Sequence, residues 1–261
     1  MRIKEYLKPV SLQGAYNLVK NEQAIVIGGG AFIRLGDREI EKALDLSNLN
    51  LSFIEDKGDE IEIGAMTTLR EIECSKILKT EFDGMLSKAV SEIAGVQIRN
   101  MATIGGSVFG RYGFSDVITP LMALDTYVEF YNLGRVPLED FLESKSKLQD
   151  ILVKIIIKKD GRRGKFLSVR NTTTDFSILN VAISKKANEF KIAVGARPLG
   201  AKLSKEAMEF ISKVELTEEN AKKAGELAAE NLSFGEDLRA SEIYRRELCK
   251  VLVKRGIMGV I

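Results

Sequence analysis

Two glycine-rich turns constrain this chain more than any other feature. The first is Ile27-Gly28-Gly29-Gly30-Ala31, running into Phe32, and the second is Ala102-Thr103-Ile104-Gly105-Gly106-Ser107. Each follows an apolar stretch, so each reads as a point where one element gives way to the next. Glycine reaches positive φ without a Cβ clash, so successive N–H groups can converge on one concavity. That predicts a backbone cradle for an anion at both turns, with positive φ at Gly105 and Gly106 too. Either turn alone is an ordinary connection between elements. Two of them, far apart in the chain, suit a ligand with two phosphates or a long dinucleotide. The common nucleotide fingerprints are absent. Counted from Gly28, G-x-G-x-x-G needs glycine where Ile33 stands; counted from Gly105, Ser107 takes the place of the second glycine. No G-x-x-x-x-G-K-[ST] run occurs either.

Composition narrows the chemistry. The chain has 261 residues, 45% of them apolar, enough for one large or two ordinary domains with real cores. It carries 39 basic and 37 acidic residues, a balance with no electrostatic footprint for nucleic acid or a membrane surface. The start, Met1-Arg2-Ile3-Lys4-Glu5-Tyr6, lacks the apolar stretch of a signal peptide, and the longest greasy run, Ile151 to Ile157, is broken by Lys154. A soluble cytoplasmic protein is expected. There is no histidine and there are only two cysteines, Cys74 and Cys249. Ser-His and Cys-His catalysis are therefore excluded, and no ligand set for a transition metal or an iron–sulfur cluster is present. No catalytic side chain and no metal site are expected, so an organic cofactor would carry any redox chemistry.

The pattern along the chain is α+β. Ser11 caps a helix through Gly14–Val19. Ala24–Ile27 is a strand entering the first turn, and Lys42–Leu46 is the next strand. Leu51–Glu55 and Glu60–Gly64 form a hairpin whose return strand has one wet face. Thr67 or Thr68 caps a helix from Leu69, and a longer helix spans Phe82 to Ala94, closed by Gly95. Asp116 opens an apolar helix from Val117 to Leu124 as its cap. Strands follow at Thr126–Tyr131 and Ile151–Lys158. The polar stretch Asp160-Gly161-Arg162-Arg163-Gly164 places a boundary between domains 1–160 and 161–261. The second domain reads as three strands (164–170, 179–186, 190–196) and then three helices (205–213, 218–231, 241–254). In the last helix Ile243, Tyr244, Leu248, Val251 and Leu252 form an apolar stripe expected to lie in the core.

The stretch Val96-Gln97-Ile98-Arg99-Asn100-Met101-Ala102-Thr103-Ile104-Gly105-Gly106-Ser107 resembles the Q-x-R-N-x-A-T-I-G-G segment of the molybdenum hydroxylase flavoproteins. These are the FAD-binding domain of xanthine dehydrogenase and the medium subunit of aerobic carbon monoxide dehydrogenase. Gly28–Gly30, Asp45-Leu46-Ser47, Ile63–Thr68, Asp116, Arg170 with Asp175, and Glu242–Leu248 extend the likeness, in order, over nearly the whole chain. The resemblance implies a two-part FAD-binding domain followed by a small three-stranded, three-helix domain. It implies that both glycine turns hold the FAD pyrophosphate and that Asp116 reaches the ribose region. The implied contact set is Ile27 through Phe32, Ala102 through Ser107, Tyr112, Asp116 and Arg170. Tyr112 and Phe114 are either neighbours of the isoalloxazine or ordinary loop packing. The resemblance also implies partners: a small iron–sulfur subunit and a large molybdenum-cofactor subunit, with NAD or another acceptor. The second turn departs from the family by continuing Val108-Phe109-Gly110-Arg111-Tyr112-Gly113, which places a cation, Arg111, where a phosphate or partner could meet it. These departures keep a second reading open: a scaffold or regulatory homologue that has lost tight FAD binding.

Overall fold

The computed structural model describes residues 1–144 and 147–260; Ile261, with which the second expected domain ends, lies outside them. The N-terminal unit is β1 (Arg2–Leu7), α1 (Leu12–Glu22), β2 (Ile25–Ile27) and β3 (Glu39–Asp45). The strands form a parallel sheet of order β1-β3-β2. Ser11 caps α1 by accepting from the Gly14 amide at 3.1 Å, and the helix buries Ala15, Tyr16 and Val19. Strand β1 has no expectation in the sequence pattern, because most of its residues are exposed and its partner lies across a crossover.

The next unit begins with the hairpin β4 (Ile54–Asp56) and β5 (Glu60–Gly64). Five short helices follow: α2 (Leu69–Cys74), α3 (Lys76–Thr80), α4 (Met85–Ser91), α5 (Val96–Arg99) and α6 (Ile104–Phe109). After α7 (Ile118–Met122), β6 (Thr126–Phe130), β7 (Gly134–Pro137) and α8 (Leu138–Glu143), strand β8 (Leu152–Lys158) returns to close an antiparallel sheet of order β4-β5-β8-β6-β7. Ile61 and Ile63 face the core, fully buried. Glu60 and Glu62 line the opposite face and pair with Lys158 at 2.7 Å and Lys154 at 2.6 Å. Thr68 is the cap of α2, in a reciprocal capping box with Glu71.

The single helix expected over Phe82 to Ala94 is broken. Phe82, Asp83 and Gly84 sit at φ of 55°, 53° and 70°, which stops a helix outright. Phe82 is 5% exposed, so burial of its ring in the core holds the chain in that conformation. Helix α4 starts afresh at Met85 and ends at Ser91, and Gly95 opens α5 rather than closing α4.

The C-terminal unit has strands β9 (Arg163–Val169), β10 (Leu179–Lys186), β11 (Glu189–Gly195) and β12 (Lys202–Leu203), then helices α9 (Lys205–Lys213), α10 (Glu218–Asn231) and α11 (Glu242–Met258). The antiparallel sheet has four strands, order β12-β11-β10-β9, because two residues after the third expected strand add an edge. Val181 and Ile183 of β10 pack with the three helices, while Ala182, on the alternate face, joins the core of the preceding unit. Asn180 and Ser184 share that second face and bond to Thr119 and to the Ala123 carbonyl. The junction between the units is thus a layer of small and polar side chains. Helix α11 continues through Gly256, where a Cβ would lie 2.5 Å from Ile183 Cγ1, so the glycine serves close helix–sheet packing rather than termination.

Arg245 of α11 has no exposed surface. It donates to the carbonyls of Ile178, Gly235 and Ala240 at 2.7–2.9 Å and to Asp237 at 2.6 Å, tying the loop before α11 to β10. Arg245→Ala is expected to lower stability by about 3–5 kcal/mol, the cost of stripping a buried, fully bonded charge from its partners. Urea denaturation measures it; a loss under about 1 kcal/mol would show that these bonds are replaceable by water.

Candidate functional site

The two glycine turns lie against each other. A Cβ on Gly28 would fall 2.6 Å from Thr103 Oγ1 and 3.3 Å from the Gly106 backbone, and one on Gly29 would fall 1.7 Å from the Met101 carbonyl oxygen. Glycine is required here first for loop-on-loop contact. The turns then differ in a way the sequence does not reveal. The second is the first turn of α6, capped by Thr103, and Gly105 and Gly106 are helical, not at positive φ. Its amides are spent on protein acceptors: Ile104 on Thr67 O (2.9 Å), Gly105 on Ala65 O (2.9 Å), Gly106 on Thr103 Oγ1 (3.2 Å) and Ser107 on Thr103 O (3.1 Å). The positive φ expected at Gly105 and Gly106 is therefore corrected. This turn is a packed wall, and Gly105 is needed because a Cβ would sit 2.5 Å from Ala65 O.

The first turn keeps its donors. Gly29 and Gly30 have φ of 72° and 66°. The amides of Gly29, Gly30, Ala31 and Phe32 reach no protein acceptor among the described residues. Consecutive free N–H groups around left-handed glycines make a concavity that suits an anion. Arg34, which sequence reasoning missed, follows this turn. Its amide bonds Gly30 O at 3.2 Å, its guanidinium reaches Met101 Sδ at 3.7 Å, and it has no carboxylate partner among the described residues. The available signal was a cation four residues beyond Gly30, one helical turn on. Ile27 ends β2 and pairs with Asp45. Burial pushes the Asp45 carboxyl up, but bonds from the Tyr6 hydroxyl (2.5 Å), the Ser47 amide (2.9 Å) and Lys8 (3.0 Å) outweigh it and hold the group at about 2. The stabilisation is fully present above the ordinary carboxylate value near ~4 and is lost as pH falls through about 2. In an NMR titration, Tyr6→Phe is expected to move the Asp45 midpoint up toward that ordinary value; an unmoved midpoint would dismiss the hydroxyl as the cause.

An aromatic row joins this turn to the other units. Phe32 lies 4.6 Å from Tyr112 and 5.1 Å from Phe114 between ring centroids; Tyr112 and Phe114 stack at 13°, and Phe114 meets Phe176 at 4.3 Å. Arg239 lies over the Phe176 ring, 5.0 Å from its centroid, and pairs with Asp175 at 3.1 Å. Burial raises the Tyr112 phenol, which keeps it neutral, and its hydroxyl makes no hydrogen bond among the described residues. On the other side of Tyr112 a cleft of about 200 Å³ is lined by Arg111, Met122, Arg197 and Lys202. Arg111 turns away from the glycines: its guanidinium lies 4.0 Å from the Phe141 ring centroid and donates to the Ser144 carbonyl.

Asp116 and Arg170 meet each other rather than an open site. Asp116, 5% exposed, accepts from Arg170 (2.9 Å), Ser177 Oγ (2.6 Å) and Asn180 Nδ2 (2.6 Å). Arg170 also donates to the Asp175 carbonyl at 2.9 Å, and its Nε is buried without a partner. Just before α7 the Ser115 hydroxyl accepts from the amides of Val117 and Ile118 at 3.3 and 3.1 Å; Asp116 instead ties this segment to Arg170, Ser177 and Asn180. Among the described residues no three His, Cys, Asp or Glu side chains converge to hold a metal, and no helix is long and apolar enough to cross a membrane.

Free amides, a cation one helical turn on and an aromatic row meet at the first turn, an arrangement that suits an anionic ligand carrying a ring system. The family described as the FAD-binding domain in molybdopterin dehydrogenase matches residues 1–158, and the CO dehydrogenase flavoprotein C-terminal domain matches residues 165–260. The chain belongs to this family of FAD-dependent oxidoreductase flavoproteins, and FAD is its cofactor. It is 26% identical to the nicotine 6-hydroxylase medium subunit of Paenarthrobacter nicotinovorans, covering 97% of this chain and 95% of that one. It is 25% identical to the glyceraldehyde dehydrogenase medium chain of Sulfolobus acidocaldarius, covering 98% and 97%. Among solved structures, carbon monoxide dehydrogenase from Hydrogenophaga pseudoflava shares the fold, with a TM-score of 0.90, 23% identity and coverage of 100% and 97%.

Proposed function

We propose that this chain is the electron-transfer subunit of a molybdenum hydroxylase complex. In this reading an iron–sulfur subunit delivers electrons that a molybdenum-cofactor subunit has drawn from substrate, and NAD or another soluble acceptor takes them away. The observation that carries it is the row of four amides at Gly29–Phe32, without a protein acceptor among the described residues, in a turn whose Phe32 joins the aromatic row. The names of its relatives, medium subunits and FAD subunits of dehydrogenases, support the same assignment. Bound FAD supplies a two-electron store that can be filled one electron at a time. The polypeptide binds, orients and excludes water. The Gly29–Phe32 amides and Arg34 would hold the diphosphate, with the second turn as a wall that fixes their direction. Phe32, Tyr112 and Phe114 would shelter the ring system. The wall around Ala102–Ser107 and the Asp116–Arg170 junction set the geometry from behind. No side chain is asked to move a proton, in keeping with a chain that has no histidine.

Titration of the apo protein with FAD, followed by visible absorbance and melting temperature, tests this reading. One equivalent of FAD is expected to bind and to raise the melting temperature. The holo-chain by itself is expected to hydroxylate no purine, aldehyde or carbon monoxide, and reconstitution with its partner subunits to restore substrate-driven flavin reduction. Protein that stays colourless in excess FAD would point to the scaffold reading. Substrate turnover by the pure polypeptide would overturn the electron-transfer role.

A further inference from the structure

The apolar stripe expected to bury α11 faces outward in part. Ile243, Tyr244, Val251 and Met258 are 76, 47, 42 and 37% exposed, whereas Cys249, Leu252, Val253 and Ile257 fill the core. At about 100° per residue, Tyr244, Glu247, Val251, Arg255 and Met258 form one narrow row on the solvent face. Glu247 has 61% of its side chain exposed and pairs only with Lys250, and Arg255 is exposed with no carboxylate partner among the described residues. The row is symmetric in chemistry about Val251. Glu247 and Arg255 flank it at equal spacing with opposite charge, and Tyr244 and Met258 flank those at equal spacing with apolar side chains.

We propose that α11 is a self-association face, docking antiparallel on α11 of a second copy of this chain with the two-fold axis at Val251. A two-fold interface must be complementary to itself, and this row is. Antiparallel pairing sets Glu247 against the partner's Arg255 at both ends and lays Tyr244 on the partner's Met258, a favourable sulfur–aromatic contact. The bulky Ile243 then falls opposite the partner's Gly259. Parallel pairing would instead oppose Glu247 to itself and Arg255 to itself, so charge selects the antiparallel register. The contact is confined to one helix face, so a concentration-dependent dimer is the form expected. This inference is independent of the FAD assignment.

Sedimentation velocity on the full chain, loaded with FAD, across the micromolar range tests it. The parent is expected to pass from monomer to dimer with concentration. Glu247→Arg and Arg255→Glu, each bringing like charges together at both ends, are expected to weaken dimerisation ~10-fold or more. An equal mixture of the two single variants is expected to restore it, since one row then carries only cations and the other only anions; the double exchange on one chain is expected to do the same. Circular dichroism checks that each variant folds. A parent that stays monomeric throughout, even one that uses α11 to bind another subunit, overturns the proposal. So do single variants that dimerise like the parent, or a mixture that fails to recover.

Discussion

Gly29→Ala is expected to weaken FAD binding on the order of 100-fold while leaving most of the fold in place. Two effects coincide at this residue. Its φ of 72° is left-handed, a conformation costing an alanine roughly 1–2 kcal/mol. The added Cβ would also lie 1.7 Å from the Met101 carbonyl oxygen, backbone that belongs to the approach to the second turn and cannot rotate away. The first turn must therefore lift off its wall. That scatters four amides whose value lies in their convergence, and losing two charge-assisted bonds of about 1.5 kcal/mol or more each amounts to two decades in affinity. Gly58→Ala is the matched control. Gly58 has φ of 90° with nothing within 4 Å of the new Cβ, so it carries the backbone strain without the collision and is remote from the turn. It is expected to lose about 1 kcal/mol of stability and to bind FAD like the parent. FAD titration of both variants decides the matter: Gly29→Ala binding within threefold of the parent would remove the first turn from the pyrophosphate site. Gly105 does not give so clean an experiment, because its missing Cβ protects packing on Ala65 and a substitution there disturbs the core as well.

Asp116→Ala is expected to destabilise the protein by about 3–5 kcal/mol, several times the loss of a helix cap, which is about 1 kcal/mol. The difference separates the two roles. The carboxylate holds Arg170, whose side chain is 8% exposed, along with Ser177 and Asn180 from the other domain. Without it, Arg170 keeps only the Asp175 carbonyl and a 3.6 Å approach to Glu92, with its Nε already unpaired. A buried guanidinium left with one distant carboxylate and an unpaired Nε is the expensive outcome. Asp116→Ala combined with Arg170→Met is accordingly expected to recover a large part of the loss, because removing both charges removes the orphan. Urea melts of the two single variants and the double variant form the test. A single-variant cost near 1 kcal/mol, with FAD affinity falling instead, would return Asp116 to the cofactor.

Much of this protein is legible from local chemistry. Ser11 and the Thr67-Thr68 pair announce helix starts, and Ser11 and Thr68 each accept from the amide three residues on. Gly134 turns β6 into β7, and Gly58 the earlier hairpin, where open space and positive φ ask for glycine. The absence of histidine and of paired cysteines excludes whole classes of chemistry without a coordinate, and the order of segments from Gly28 to Leu248 identifies the family. These signals depend on residues within a few positions of one another, which is why they survive in a one-dimensional reading.

The remaining properties were decided by contacts between distant segments. Both glycine turns look alike in sequence, yet only one keeps its amides free, because the carbonyls of Ala65 and Thr67 are folded onto the other and consume its donors. Asp116 reads as a helix cap until β10 brings Asn180 to it and the segment after β9 brings Arg170. Val251 and Leu252 are equally apolar neighbours; one is 42% exposed and the other 4%, because the sheet and α10 cover only one side of α11. Composition and spacing determine which residues can hydrogen-bond, pack or turn. Which partner each one meets depends on chain crossings that local pattern does not encode, and in this protein those crossings separate a turn with free amides from one whose amides are bonded.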